Sequence, residues 1–134
     1  MDDSKPHRRF YSDGRGIWYI DRFWKLAEGL PVEDLEIEKV RELDEVCWFS
    51  ERWGKRPTCR AVIEHCQRIL AADMSYPVIL SPDGGVLDGI HRIAKAMAQG
   101  ERTVKAVRIK EMPPPDEVLS PDDPRYDAQP PTGS

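Results

Sequence analysis

The chain has 134 residues, of which 40% are hydrophobic and 33% are charged, which suits one small folded domain. The net charge of −4 comes from residues 112–134, where Arg125 stands against five acidic residues, so residues 1–111 carry no net charge. A body without excess positive charge lacks the basic surface that sequence-independent DNA binding needs, and we do not expect direct DNA binding.

The compartment is indicated by what the sequence lacks. The N-terminal sequence MDDSKPHRRF has no apolar stretch of the signal-peptide kind, and no run approaches the ~20 apolar residues that cross a bilayer. Cys47, Cys59 and Cys66 form no CxxC pair and no cluster with histidines. We therefore expect a soluble cytoplasmic protein with no membrane association, whose cysteines are buried thiols without a catalytic, disulfide or zinc-binding role.

The first elements of the chain are predicted from apolar spacing. Residues 1–16 are polar and are expected to form a flexible segment before a domain that spans residues 17–111. A helix is expected from Ile20, because apolar side chains recur at i, i+3, i+4 and i+7 until Gly29 ends it. Residues 32–39 alternate weakly between polar and apolar side chains, which predicts a short strand.

A second helix is predicted over residues 58–73, with Thr58 as its N-cap. The apolar residues of this helix form one stripe, which we expect to pack against a sheet: Cys59, Val62, Ile63, Cys66, Ile69 and Leu70. A basic cluster surrounds its start. Arg56, Arg60 and the Thr58 hydroxyl are candidates for an accessory phosphate site, and a partner contact or a solvated loop is an open alternative.

Residues 76–109 predict a strand–turn–strand–helix–strand unit. Its strands are expected at residues 76–80, 86–88 and 103–109, and its helix at residues 90–99. The whole pattern indicates an α/β (α+β) domain with a small mixed sheet and helices packed against it. Residues 112–134 are acidic, proline-rich and poor in large apolar groups, so we expect a disordered tail, with a protein partner bound through it as an alternative.

The motif most indicative of function is Asp88-Gly89-Ile90-His91-Arg92, where a strand meets a helix. Gly89 permits a tight turn and lets a ligand approach the backbone. The unpaired N–H groups and the dipole of a helix that begins here attract anions. Arg92 offers a planar fork of donors suited to phosphate oxygens. We therefore expect a phosphate to be bound by Gly89, Ile90, His91 and Arg92.

Asp88 and His91 are the candidate catalytic residues, and Asp88 is also a candidate ligand for Mg²⁺. Each side chain has a structural alternative: Asp88 as a turn or N-cap residue, His91 as a satisfied histidine, and Arg92 as an arginine paired with an acid. The occurrence of all these residues within one turn favours the functional interpretation.

The stretch YPVILSPDGGVLDGIHRIAKAMAQGERTVKAVRI resembles the core of the ParB/sulfiredoxin-like superfamily, and its residues 88–92 match the D-G-x-H-R form of the family box. This resemblance implies a ParB/sulfiredoxin-like fold over roughly residues 32–110. It also implies that a nucleoside di- or triphosphate, with Mg²⁺, binds through Gly89, His91 and Arg92.

The resemblance has limits. Sulfiredoxins have a cysteine where this chain has Ile90, so sulfinic acid reduction is not expected. A helix-turn-helix domain of the chromosome-partitioning kind is not expected, because the residues after the last strand are proline-rich. The box is also similar to that of small kinases that phosphorylate free serine, which need a carboxylate base from elsewhere in the fold. Glu38, Glu42 and Glu45 are candidates for that base by position alone.

Three functional hypotheses follow from these residues and from the resemblance. The first is a nucleotide hydrolase or small-molecule phosphotransferase that works by positioning and charge neutralisation. The second is a non-catalytic binding or switch module that uses the same site. The third is a ParB-like nuclease, which the uncharged body and the lack of a second acidic metal motif disfavour.

Overall fold

A computed structural model describes residues 9–127 of the chain. Within these residues it contains three α-helices and two β-sheets, which confirms the predicted mixed α+β class. In the described residues no helix is both long enough and apolar enough to span a bilayer.

The first sheet has four strands: β3 (Val32–Glu36), β4 (Val78–Leu80), β5 (Val86–Asp88) and β6 (Thr103–Arg108). Their order across the sheet is β3-β6-β4-β5. The β4–β6 pair is parallel, whereas the β3–β6 and β4–β5 pairs are antiparallel. The sheet is therefore mixed, as predicted, and its strands lie within the predicted segments.

Two helices cover this sheet, α1 (Ile20–Ala27) on one face and α3 (Ile90–Ala98) on the other. Alternate residues of β4 point to opposite faces. Val78 and Leu80 join a cluster with Ile93 of α3, and Ile79 joins a second cluster with Phe23 of α1. The predicted core helix at residues 90–99 is thus confirmed, and it places the residues of the box at one edge of the core.

The remaining helix, α2 (Cys59–Ala71), packs beside α3 rather than on the sheet. Its half-buried residues are Ala61, His65 and Ile69, which recur every four positions and face α3. Lys95 of α3 donates hydrogen bonds to the carbonyl oxygens of Leu70 and Ala72, both at 3.0 Å, at the C-terminal end of α2. Those bonds satisfy carbonyl groups that the helix leaves unpaired.

The predicted apolar stripe of α2 is exposed except for the half-buried Ile69. No residue of α2 is buried, and the exposed fractions of Val62, Ile63 and Leu70 are 43%, 57% and 76%. The cysteines at positions 47, 59 and 66 are exposed as well, so the prediction that they are buried is wrong. For α2, which carries Cys59 and Cys66, the physical reason is that α1 and α3 already occupy the two faces of the sheet and leave α2 on the outside.

The second sheet joins the two ends of the described chain. It contains β1 (Phe10–Ser12), β2 (Gly16–Tyr19) and β7 (Glu117–Val118), in the antiparallel order β1-β2-β7. Residues 9–16, expected to be flexible, form a strand and a turn, and residues 112–127, expected to be disordered, pack against them.

The packing of residues 112–127 depends on partners that are distant in sequence. Trp18 Nε1 donates to the carbonyl oxygen of Pro113 at 2.7 Å, and the Tyr19 N–H donates to Asp116 at 2.8 Å. Leu119 is 4% exposed. The prolines do not prevent this arrangement, because an extended chain at a sheet edge tolerates a missing N–H donor. Residues 1–8 and 128–134 lie outside the described part of the chain.

Candidate phosphate-binding site

Helix α3 begins directly after β5, and Gly89 makes the turn between them. Its φ of +124° is a conformation that side chains disfavour. A Cβ atom there would lie 3.0 Å from Cγ2 and 3.2 Å from Cα of Val78. Within residues 9–127 no side chain caps the helix, and its first turn contains no acidic residue. The unpaired N–H groups and the positive end of the dipole are therefore not neutralised by a capping group.

Asp88 is 5% exposed and both of its carboxylate oxygens accept hydrogen bonds. Oδ1 accepts from Nη2 of Arg9 at 2.5 Å, whereas Oδ2 accepts from Nε1 of Trp24 at 2.8 Å and from Nη2 of Arg92 at 2.9 Å. This set of donors does not fit an Mg²⁺ ligand, because the cation would compete with two guanidinium groups for the same lone pairs. Asp88 is also not the N-cap of α3, because Gly89 holds that position.

Arg92 is 8% exposed, and its planar fork is turned into the protein. One nitrogen donates to the carbonyl oxygen of Pro77 at 2.9 Å and the other donates to Asp88. The arrangement is that of the structural alternative, an arginine paired with an acid. Arg92 fixes Asp88 and the end of the loop before β4, because each of its two terminal nitrogens is bonded to one of these groups.

His91 is half-buried, and its Nε2 is directed towards α2. Its Nε2 lies 2.8 Å from Nδ1 of His65, and its ring stacks on the indole of Trp48 with the centroids 4.7 Å apart. Burial, followed by the charge of His65, lowers the pKa of His91 from 6.5 to about 4. His91 is therefore an uncharged hydrogen-bonding group at neutral pH and adds no positive charge to the site.

Sequence reasoning missed several residues around the box. Arg9 comes from the polar N-terminal segment, and its side chain is 66% exposed although it is bonded to Asp88. The rings of Trp24 and Tyr76 stack with centroids 5.6 Å apart, and these residues are 40% and 51% exposed. The aromatic content of the first helix was the one sequence signal, because Arg9 and Tyr76 reach the box only through the tertiary fold.

The charges at the start of α3 do not balance. Asp73 interacts electrostatically with Arg92, but in the described residues the guanidinium groups of Arg9 and Arg92 both pair with the carboxylate of Asp88, so these three groups carry one excess positive charge. This charge lies beside the uncapped end of the helix, where the dipole has the same sign. An anion at this point would be attracted by the excess charge and by the helix dipole. Because the side chain of Arg9 is exposed, its guanidinium group is accessible to such an anion.

The three accessory residues are not bonded to the box in the described residues. Thr58 caps α2, as predicted, by accepting a hydrogen bond from the Ala61 N–H at 3.1 Å. Arg56 and Arg60 are exposed. Within residues 9–127, no hydrogen bond or ion pair joins Arg56, Thr58 or Arg60 to the box.

The three candidate bases do not converge on the site either. Glu42 accepts a hydrogen bond from the Val86 N–H at 2.7 Å and so anchors β5. Glu38 and Glu45 are exposed on the segment before α2. In the described residues, no group of three or more histidine, cysteine, aspartate or glutamate side chains is placed to hold a metal ion.

No family model, curated protein or solved structure matches this chain. The resemblance to the ParB/sulfiredoxin-like superfamily therefore stays a prediction from residues 76–109.

Proposed function

We propose that this chain is a non-catalytic module that binds a phosphate-bearing small molecule of the nucleotide class at the start of α3. The observation that carries the proposal is the unbalanced positive charge of Arg9, Arg92 and Asp88 beside an uncapped helix N-terminus. Phosphate is the anion that such N–H groups and guanidinium donors accommodate best. Arg9 takes the ligand-facing role that the sequence suggested for Arg92.

The aromatic side chains support a nucleotide rather than inorganic phosphate alone. Trp24 presents its ring beside Asp88, stacked on Tyr76, and both rings are partly exposed. Aromatic faces of this kind bind nucleobases by stacking, at about 1–3 kcal/mol per base. The resemblance of residues 88–92 to the family box points to the same class of ligand.

Binding without turnover is supported by the state of the acidic residues. Phosphoryl transfer needs a group that orients the nucleophile and, in most enzymes, Mg²⁺ held by carboxylates. Asp88 is occupied by three donors, and Glu42 is bonded to the backbone of β5. The phosphotransferase and nuclease hypotheses are accordingly alternative outcomes of the experiment below.

The experiment is an NMR titration of ¹⁵N-labelled protein with phosphate, ADP and ATP, each with and without Mg²⁺. We expect the amide signals of residues 89–92 to shift, and the indole signal of Trp24 to shift with the nucleotides only. Arg9→Ala should weaken binding by about tenfold or more, because a charged hydrogen bond contributes ~1.5–3 kcal/mol. Arg60→Ala, an exposed arginine on α2, is the matched control and should bind like the wild type.

Other results would count against this proposal. If no amide in residues 89–92 shifts, the charged cluster is purely structural. If Arg9→Ala and Arg60→Ala weaken binding equally, the attraction is not specific to the box. If ADP or phosphate is released from ATP, or DNA is cleaved, and the activity is lost in Arg9→Ala, the chain is an enzyme.

A further inference from the structure

Three rings from separate parts of the chain meet beside the box. Trp48 lies in the segment before α2, His65 on α2 and His91 on α3. The Trp48 indole stacks on both imidazoles, with centroid distances of 4.5 Å to His65 and 4.7 Å to His91. The interplanar angles are 10° and 6°, so one face of the indole covers both histidines.

The two imidazoles form a direct hydrogen bond in a common plane. Nδ1 of His65 and Nε2 of His91 are 2.8 Å apart, and the two rings are inclined by 11°. The centroids of the two rings are 5.1 Å apart. This distance is close to the one expected when both bonded nitrogens lie on the line that joins the ring centres. A bond aligned in this way holds one proton, so one histidine donates and the other accepts.

We infer that His65 is a positioning residue for the proposed phosphate site. Nδ1–H of His65 donates a hydrogen bond to Nε2 of His91, and His91 therefore faces the ligand with its own Nδ1–H. This inference rests on the proposed function. A phosphate oxygen accepts hydrogen bonds, so the ring nitrogen of His91 that meets it must carry the proton. Nε2 of His91 must then be an acceptor, and His65 is the residue that supplies its donor.

The charged groups around the pair are consistent with two neutral rings. Arg68 and Lys55 lie near His65 and disfavour its protonation. Glu64 favours protonation of His65, but its effect is weaker than theirs. Around His91, Arg68 and Arg9 oppose protonation and Asp88 favours it. A doubly protonated pair would also lose the hydrogen bond between the rings. The pair therefore stays neutral while the anion is held by Arg9 and the helix.

The test compares wild-type protein, His65→Ala and His65→Asn. Asparagine keeps an N–H donor near the position of Nδ1, whereas alanine has none. The readouts are the imidazole ¹⁵N signals of His91 followed over pH, and the affinity for inorganic phosphate. We expect His65→Ala to raise the pKa of His91 towards its ordinary value of about 6.5 and to weaken phosphate binding about fivefold or more. His65→Asn should largely restore the affinity.

The wild-type protein provides a test that does not depend on a variant folding. With phosphate bound, the ¹⁵N spectra should show the proton on Nδ1 of both His65 and His91. A proton on Nε2 of His91 in the phosphate-bound protein would overturn the inference, as would equal affinity in His65→Ala and wild type. If wild-type protein binds no phosphate, the proposed function fails first, and this role fails with it. If phosphate binds but His91 titrates unchanged in His65→Ala, this role fails alone.

Discussion

Nη2 of Arg92 lies 2.9 Å from Oδ2 of Asp88, and the two side chains are 10% and 2% exposed. Removing one partner of a buried ion pair leaves the other charge uncompensated, which typically costs ~3–5 kcal/mol. Because Arg9 also pairs with Asp88, we expect Arg92→Ala to lower the free energy of unfolding by about 2–4 kcal/mol. Urea unfolding measures this change.

Arg60→Ala is again the matched control, since an exposed arginine without an ion pair in the described chain should alter stability by at most about 0.5 kcal/mol. Loss of phosphate binding in Arg92→Ala with unchanged stability would contradict the structural role of Arg92. Such a result would support the direct contact between Arg92 and phosphate that the sequence suggested.

Gly89 provides a test of the turn that begins α3. Alanine at this position combines a φ of +124° with a Cβ only 3.2 Å from the Val78 backbone. We expect Gly89→Ala to lower the free energy of unfolding by about 1–3 kcal/mol. Gly29→Ala is the comparison, because Gly29 has a φ of +77° but no atom within 4 Å of the added Cβ. Equal losses in both variants would show that the contact with Val78 is not important.

Acid should destabilise the fold through His65 and His91. Desolvation lowers the pKa of His91 from 6.5 to about 4 and also lowers the pKa of His65. The folded protein therefore binds fewer protons than the unfolded chain below pH 6.5. The contribution of these residues to stability is complete above pH 6.5 and is lost as the pH falls towards 4. Since both rings are only half-buried, solvent screening limits the expected loss to about 1–2 kcal/mol.

Urea unfolding at pH 7.5 and pH 4.5 measures the loss, and His91→Gln should reduce it. Hydrogen bonds from Ser75, Ser81 and Arg125 lower the pKa values of Asp73, Asp83 and Asp123, so those carboxyl groups titrate below this range. An unchanged pH dependence in His91→Gln would show that other groups cause the loss.

The cysteines should differ in reactivity towards a thiol reagent in the native protein. All three residues are exposed. However, Sγ of Cys47 donates to the Glu42 carbonyl oxygen at 3.3 Å, and desolvation, followed by Glu45 and Glu42, raises its pKa to about 11. Because the thiolate is the reactive form, we expect Cys47 to react about tenfold more slowly than Cys59 and Cys66 at pH 8. The change in absorbance as the thiols undergo disulfide exchange with the reagent measures a fast and a slow phase of the reaction. Cys47→Ser should remove the slow phase.

Leu119 tests whether residues 112–127 are part of the fold. It is 4% exposed, whereas its neighbour Val118 is 78% exposed. We expect Leu119→Ala to lower the free energy of unfolding by about 2–4 kcal/mol, and Val118→Ala to change it by no more than about 0.5 kcal/mol. If both variants unfold like the wild type, the tail is disordered, as its composition suggested.

Local sequence was sufficient for the elements whose signals are local. The strands near residues 78–80, 86–88 and 103–108 and the helix from Ile90 follow from apolar periodicity and from the turn residues between them. The tight turn predicted at Gly89 is also local, because the short step from strand to helix is made with a φ of +124°. The Thr58 cap likewise depends on atoms only three residues apart.

Only the tertiary structure decided which surfaces are buried and which charges are paired. The stripe on α2 has the apolar spacing of a core helix, yet α1 and α3 already cover the sheet, and periodicity carries no information about that competition. Arg92 has donors that suit a phosphate group, but its two terminal nitrogens are bonded to Asp88 and to the carbonyl oxygen of Pro77. Arg9 and His65 contact the box across 79 and 26 positions of sequence. Such contacts are set by chain packing, so no local pattern could indicate them.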